Sequence, residues 1–208
     1  MEKESTKKQI LEAAQKVFTE VGLDGARMQK IADEADVNKA MLHYYFKSKN
    51  KLFKSVFRII APKVFPEILQ VLNKDMSLFE KIEKLVDNYI TVLINNNNEK
   101  IPLLILNELN KNPDEFSDIM LESFNSLDFD PLKELEKDIQ EEVLAGKIRY
   151  IDPQELLINI ISMCIFPVCA KTFLQKVIFK GEKDKCQQFL ITRRETIPKF
   201  IINSIKSD

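Results

Sequence analysis

Apolar residues along this chain return every three or four positions, from near the N-terminus to the C-terminus. Ile10, Ala13, Ala14, Val17, Phe18 and Val21 set the rhythm, which is that of one face of an α-helix. Thr6-Lys7-Lys8-Gln9 has the form of a capping box, so the first helix is predicted over Thr6 to Val21, with Gly22 ending it. Two short helices follow, over Met28 to Ala35 and Lys39 to Phe46, the second capped by Asn38. A fourth opens after Ser48 and is kinked or ended by Pro62 and Pro66. Ser77 and Glu80 form another capping box, for a helix reaching about Ile94. The run Asn95 to Asn98 reads as a loop, and Pro102 suits the first turn of a short helix to about Leu109.

Asn112-Pro113 and Asp130-Pro131 each read as an N-cap followed by a first-turn proline. Asp152-Pro153 starts a long apolar helix to about Phe179, kinked at Pro167. The last helix runs from about Lys183 to Ile205, with a kink at Pro198. Gly22, Gly25, Gly146 and Gly181 stand where helical patterns stop. No alternating strand pattern with hairpin turns interrupts this. The fold class is therefore all-α.

The chain has 208 residues, 45% hydrophobic and 30% charged, enough for a core and for one large domain or two smaller ones. Its net charge of −1 points to no partner, but the distribution does. Residues 1–58 carry 12 basic and 8 acidic side chains, and the remainder carries 19 and 24. No acidic residue lies between Asp36 and Glu67, whereas Lys39, Lys47, Lys49, Lys51, Lys54, Arg58 and Lys63 all do. Such a segment suits an anionic partner.

Other classes find little support. The N-terminal MEKESTKKQI has no apolar segment of a signal peptide. No run approaches the roughly 18 apolar residues of a membrane span, so no membrane partner is expected. Cys164, Cys169 and Cys186 are odd in number and lack metal-ligand spacing, which fits buried structural thiols in a reducing cytoplasm. His43 is the sole histidine and has no Asp, Glu or Cys at ligand spacing. There is no phosphate-cradling glycine loop, no cysteine–histidine pair and no serine on a strand–turn–helix. Glu141-Glu142 is expected to be solvated on a charged helix. The chain thus reads as a non-enzyme without metal or cofactor.

Residues 28–46 fit a helix-turn-helix, in which a short helix lies across the DNA backbone and a second enters the major groove. Lys39 to Phe46 makes a helix of about 12 Å, close to the groove width. At about 100° per residue, Leu42 and Phe46 fall together and point toward Ile31, Ala32 and Phe18. Ala40, His43 and Tyr44 cluster on the opposite side, with Met41 at its edge and Tyr45 on a flank. Lys39 can swing outward on its long stem. Lys47 and Lys49 would meet backbone phosphate, and the Ser48-capped helix start favours an anion.

The segment resembles the N-terminal domain of TetR/AcrR-type transcriptional regulators. The resemblance rests on Val21-Gly22-Leu23-Asp24-Gly25, Met28 to Ala35, Val37-Asn38-Lys39 and Leu42 to Phe53, and covers roughly residues 6–57. It implies DNA contacts at Gln29, Lys39, Ala40, Met41, His43, Tyr44, Tyr45 and Lys49. Two positions depart from the family pattern. Asp36 stands where the turn commonly has Gly, at a penalty of roughly 1 kcal/mol for left-handed backbone. Arg27 stands where a Ser or Thr cap is common, a loss of about 1 kcal/mol.

The resemblance further implies two domains, a helix-turn-helix domain over 1–57 and a helical ligand-binding and dimerisation domain over 58–208. The second is rich in Phe, Leu and Ile and suits a small apolar or amphipathic effector. Candidate lining residues are Tyr89, Leu103, Leu106, Phe116, Met120, Phe124, Met163 and Phe166, each of which also suits plain core. The last two helices resemble the family's dimerisation elements. The expectation is a cytoplasmic homodimer that represses transcription from a palindromic double-stranded DNA operator in response to a ligand. The alternative is a helical ligand-binding or protein-interaction dimer without operator binding.

Overall fold

The computed structural model describes residues 2–94, 105–106, 109–111 and 113–207. It is an all-helical molecule whose chain divides into two compact units, Met1–Val64 with Leu103–Phe124, and Phe65–Pro102 with Asn125–Asp208.

In the first unit, α1 spans Glu2–Gly25 and breaks at Gly22, whose φ of 72° only glycine adopts freely. The helix thus starts a turn before Thr6, and the capping box expected there is not its terminus. Residues 2–5 contain no helix breaker, so the helix extends into them. Helices α2 (Met28–Glu34), α3 (Lys39–Phe46) and α4 (Lys49–Leu69) follow. Ile10, Ala14, Val17 and Phe18 of α1 are buried, as are Ile31, Ala32, Leu42, Phe46, Leu52 and Phe53. Phe18 meets Phe53 edge to face at 5.4 Å, one of the favoured aromatic geometries. Lys16–Glu34 (2.6 Å) and Lys30–Glu20 (3.0 Å) clip α1 to α2 at the surface. Helix α4 runs through Pro62 and Pro66 rather than ending there. Each proline removes one backbone bond, and burial of Leu52, Phe53, Val56, Phe57 and Ala61 along the same helix offsets it. Helix α6 (Pro113–Asn125) stacks Phe116 on Phe57, 5.0 Å between ring centres.

The second unit opens with a 3₁₀ turn, Gln70–Asn73, and then α5 (Leu78–Ile94). The Ser77–Glu80 capping box is formed: Ser77 N donates to Glu80 Oε2 at 3.0 Å and Glu80 N to Ser77 Oγ at 3.3 Å. Asp130 caps α7 (Pro131–Leu144) and Asp152 caps α8 (Pro153–Cys169), each accepting two backbone N–H bonds ahead of a first-turn proline. Helix α9 (Lys183–Ile205) passes through Pro198. Leu72, Ile82, Leu85, Ile90, Leu135, Ile139, Leu156, Ile160, Ile197 and Ile201 form the core. The Asn95–Asn98 loop and the Pro102 helix start lie outside the described residues.

Three expectations need correction here. The helix predicted to reach Phe179 ends at Cys169 and bends by 62° into the segment Lys171–Ile178. Pro167 lies two residues before that end. Having no N–H, it leaves the carbonyl of Met163 without its helical partner, and Arg193 Nη2 donates to that carbonyl at 3.0 Å instead. Glu142 is buried rather than solvated and faces Lys147 at 2.9 Å. Cys164 and Cys186 are buried, but Cys169 is only half-buried. Among the described residues, no single helix is long and apolar enough to cross a membrane.

Candidate nucleic-acid interface

Helices α2 and α3 are joined by a turn that the chain closes with its own backbone. Asp36 N donates to the Asp33 carbonyl at 3.2 Å and Val37 N to the Ala32 carbonyl at 3.0 Å. Asp36 adopts φ 49°, the left-handed conformation that the turn demands. Asn38 Oδ1 then accepts from Met41 N at 2.7 Å and starts α3. At Arg27, before α2, the backbone is extended and the side chain makes no cap bond. The turn thus forms with Asp in place of Gly, and α2 starts without a side-chain cap.

Helix α3 is divided sharply by exposure. Leu42 and Phe46 are 0% and 4% exposed, whereas Tyr44 is 71% exposed. Lys39, Ala40, Met41 and His43 are also exposed, as is Gln29 on α2. Tyr45 is half-buried and meets Tyr44 edge to face at 5.4 Å. The two inward side chains anchor α3 to the α1–α2 core, and the outward ones form a short surface with no carboxylate of its own. Gln29 Nε2 donates to Asp33 Oδ1 at 2.7 Å, which orients the amide along α2. His43 Nδ1 lies 3.3 Å from the Lys47 carbonyl. Because a carbonyl only accepts, the contact is a hydrogen bond in the tautomer that carries the proton on that nitrogen.

The end of α3 is fixed by Lys47, at φ 57°, and Ser48, whose Oγ accepts from Lys51 N at 3.3 Å. Lys49 stands apart from the other candidates. Its side chain is half-buried, and Nζ donates to the Ala26 carbonyl at 3.1 Å. It therefore ties the start of α4 to the loop entering α2, a positioning contact that spacing along the sequence did not reveal.

The candidate ligand-lining residues divide between the units. Leu106, Phe116, Met120 and Phe124 belong to the first; Tyr89, Met163 and Phe166 belong to the second. Leu103 lies outside the described residues. Tyr89 and Phe116 are buried, Met120, Phe124 and Met163 are half-buried, and Leu106 and Phe166 are exposed. Burial pushes the Tyr89 phenol well above its ordinary range, with the nearby Cys164 thiol adding to the effect. Burial likewise pushes the Cys164 thiol up to about 12, against the pull of Arg193. Sequence reasoning missed Arg193 and Arg194. The available signal was two adjacent arginines on an apolar helix, together with a proline four residues after Met163.

Residues 10–56 match the family model for bacterial regulatory proteins of the tetR family. Over 55 residues the chain is 47% identical to the transcriptional repressor NicS of Pseudomonas putida, a match covering 26% of each protein. The chain thus matches only about a quarter of that relative's length. Over 154 residues it is 29% identical to the transcriptional regulator RutR of Escherichia coli O157:H7, covering 74% of this chain and 69% of that protein. A crystal structure of a putative transcriptional regulator from Saccharomonospora viridis, in complex with choline, superposes with a TM-score of 0.70 at 19% identity. That match covers 99% of this chain and 100% of the other.

Proposed function

We propose that this chain, which belongs to the TetR family of bacterial regulatory proteins and is a DNA-binding transcriptional regulator, acts as a ligand-responsive repressor that grips a palindromic operator as a homodimer. The observation that carries this reading is the division of α3. Leu42 and Phe46 anchor the helix, and Lys39, Ala40, Met41, His43 and Tyr44 face outward on a segment free of acidic residues from 37 to 66. Ala40 lets the helix approach the groove closely, and Met41 offers a thymine methyl an apolar contact. Lys39, His43, Tyr44 and Tyr45 supply hydrogen bonds to phosphates or base edges, and Gln29 adds one from the start of α2. Lys49 serves both by its charge and by holding Ala26. The DNA-binding domain in this reading is residues 1–57.

The domain over 58–208 would dimerise through α8 and α9 and bind the effector. Ile158 and Phe166 on α8, and Ile191 and Phe200 on α9, are exposed apolar side chains that a second copy would cover. Two recognition helices then sit about 34–36 Å apart or somewhat more, one turn of DNA. A small organic effector releases the operator by binding the two conformations with different affinity. The choline complex of the Saccharomonospora protein supports a small-molecule effector in a protein of this fold. The setting is the cytoplasm, where the operator is.

Operator selection from random duplex DNA with the purified protein, followed by footprinting, tests the reading. An inverted repeat protected on both half-sites is the expected result. Failure to enrich any sequence would overturn it, leaving a helical ligand-binding or protein-interaction dimer.

A further inference from the structure

One arginine of the second unit lacks a carboxylate partner among the described residues. Arg193 of α9 is half-buried, and among the described residues its enclosed Nε has no hydrogen-bond acceptor. Its Nη2 donates to the Met163 carbonyl at 3.0 Å, and its guanidinium lies over the Phe189 ring, 5.4 Å from the centre. Among the described residues, no carboxylate pairs with it. The neighbouring Arg194 stands beside the local acid: its Nε lies 3.4 Å from Asp87 Oδ1 without a hydrogen bond, and its Nη2 donates to Thr91 Oγ1 at 3.3 Å. Two adjacent guanidiniums thus share one carboxylate, and the site keeps an excess positive charge.

That charge cannot be shed. Arginine stays protonated at any physiological pH, unlike a buried lysine, so the site must hold a partly desolvated cation or find it an anion. Enclosing an unpaired charge is among the costlier features of a fold. The cation–π contact with Phe189 offsets part of this, and the Met163 carbonyl another part. Neither neutralises the charge. The planar fork of the guanidinium matches a carboxylate with two parallel bonds. Beside it stand the Cys164 thiol and the Phe189 ring, with the Phe179 ring packed against Phe189 at 5.3 Å.

We infer that Arg193 is the anchor of an anion site in the second unit, and that the effector is an amphipathic carboxylate whose head group takes Arg193 and whose apolar body lies along Met163 and Phe189. The inference rests on the ligand-responsive reading and narrows it to one chemical class. It also gives the site a route to the fold. Arg193 holds the carbonyl that Pro167 leaves open beside the bend after α8, so a carboxylate that recruits the guanidinium alters the support of that bend.

Three ten-carbon probes that differ in head group provide the test: decanoate, decanol and decyltrimethylammonium, each below its micelle concentration. Binding to the wild-type dimer is measured by calorimetry, and operator release by fluorescence anisotropy. Decanoate binding at least tenfold tighter than the other two is expected. Arg193→Gln, which keeps an amide donor for the Met163 carbonyl but no charge, should lose roughly tenfold or more of that affinity. Arg193→Lys should lose less. Helicity and thermal midpoint of both variants check that they fold.

Equal binding of the three probes, or decanoate binding that Arg193→Gln leaves unchanged, overturns the inference. So does the absence of decanoate binding. A further contrary result is tenfold weaker dimerisation of Arg193→Gln with unaltered probe binding, because the missing anion is then a carboxylate of a second copy. The broader reading fails separately, if bound probes of every head group leave the operator complex intact.

Discussion

Two sets of cations, one in each unit, stand in opposite settings. In the first, Lys39, Lys47 and Lys51 are exposed on or beside the α3 surface, in a stretch of chain without acidic residues. In the second, Lys81 is 4% exposed and bonds both oxygens of Asp138, at 2.6 and 2.9 Å, while Arg193 is half-buried over an aromatic ring. Exposed charges act at a distance, are screened by salt and cost the fold little. Buried charges act only on contact, escape screening and penalise the fold whenever a partner is missing. The first arrangement suits a polyanion met in many registers. The second suits a fixed internal partner or a single small anion.

Salt is the strongest way to separate the two settings. If each subunit neutralises about four phosphates, log K for the operator should fall against log salt with a slope near −7. Between 50 and 200 mM salt that amounts to about four orders of magnitude in affinity. Stability of the protein without DNA should barely change over the same range. Anisotropy titrations and thermal melts at matched salt check both halves. A flat operator isotherm would show that the lysine-rich segment is an ordinary solvated face.

The buried pair offers the reverse experiment. Asp138→Ala leaves the Lys81 ammonium enclosed without a counter-charge, and should cost about 3–5 kcal/mol of stability. The double variant Lys81→Met with Asp138→Leu should recover most of that, because apolar residues of similar size remove the penalty at its source. Urea denaturation of the three proteins measures this. Operator affinity per folded protein should not respond. If it does, the buried pair reports on DNA and the contrast between the units fails.

Tyr44→Ala should reduce operator affinity by about five- to tenfold, the loss of a hydrogen bond to DNA in each subunit, without altering dimerisation by ultracentrifugation. Lys49→Ala should cost more than its charge suggests, because the bond to the Ala26 carbonyl goes with it. Dissociation of the dimer by either variant would show that the outward face of α3 is packed against protein.

The helices and the faces of α3 were legible from sequence because they depend on local rules. The spacing of Leu42 and Phe46 sets which side is buried, and Asn38, Ser77, Asp130 and Asp152 announce helix starts that the structure keeps. What was not legible is non-local. Pro167 suggested a kink, but the helix end at Cys169 goes with a carbonyl held by Arg193, thirty residues from Met163. The pairing of Lys81 with Asp138 joins residues 57 apart, and nothing in either helix alone distinguishes them from solvated charges. Lys49 looked like a phosphate contact because its position is in the right place, and the Ala26 carbonyl is visible only once the chain has folded back. Thr6 shows the opposite error, a local signal without effect because the helix had already begun.

The smallest effects lie in the turn itself and should have opposite signs. Asn38→Ala removes the oxygen that accepts from Met41 N, and should destabilise the first unit by about 1 kcal/mol. Asp36→Gly relieves a left-handed residue at φ 49° and should stabilise it, by an amount that the greater freedom of glycine in the unfolded chain limits to about 0.5 kcal/mol. The pair separates two demands on the same short turn. A cap fixes where α3 begins, whereas the turn residue sets the angle at which it leaves α2. If Asp36 were held at that angle only by strain, Asp36→Gly would raise stability and leave operator affinity unchanged. If the carboxylate also opposes the approach of phosphate, affinity would rise too, and more at low salt than at high. Melts and operator titrations of the one variant at two salt concentrations distinguish these, and loss of affinity in Asp36→Gly would show that the stiffer residue is what aims the recognition helix.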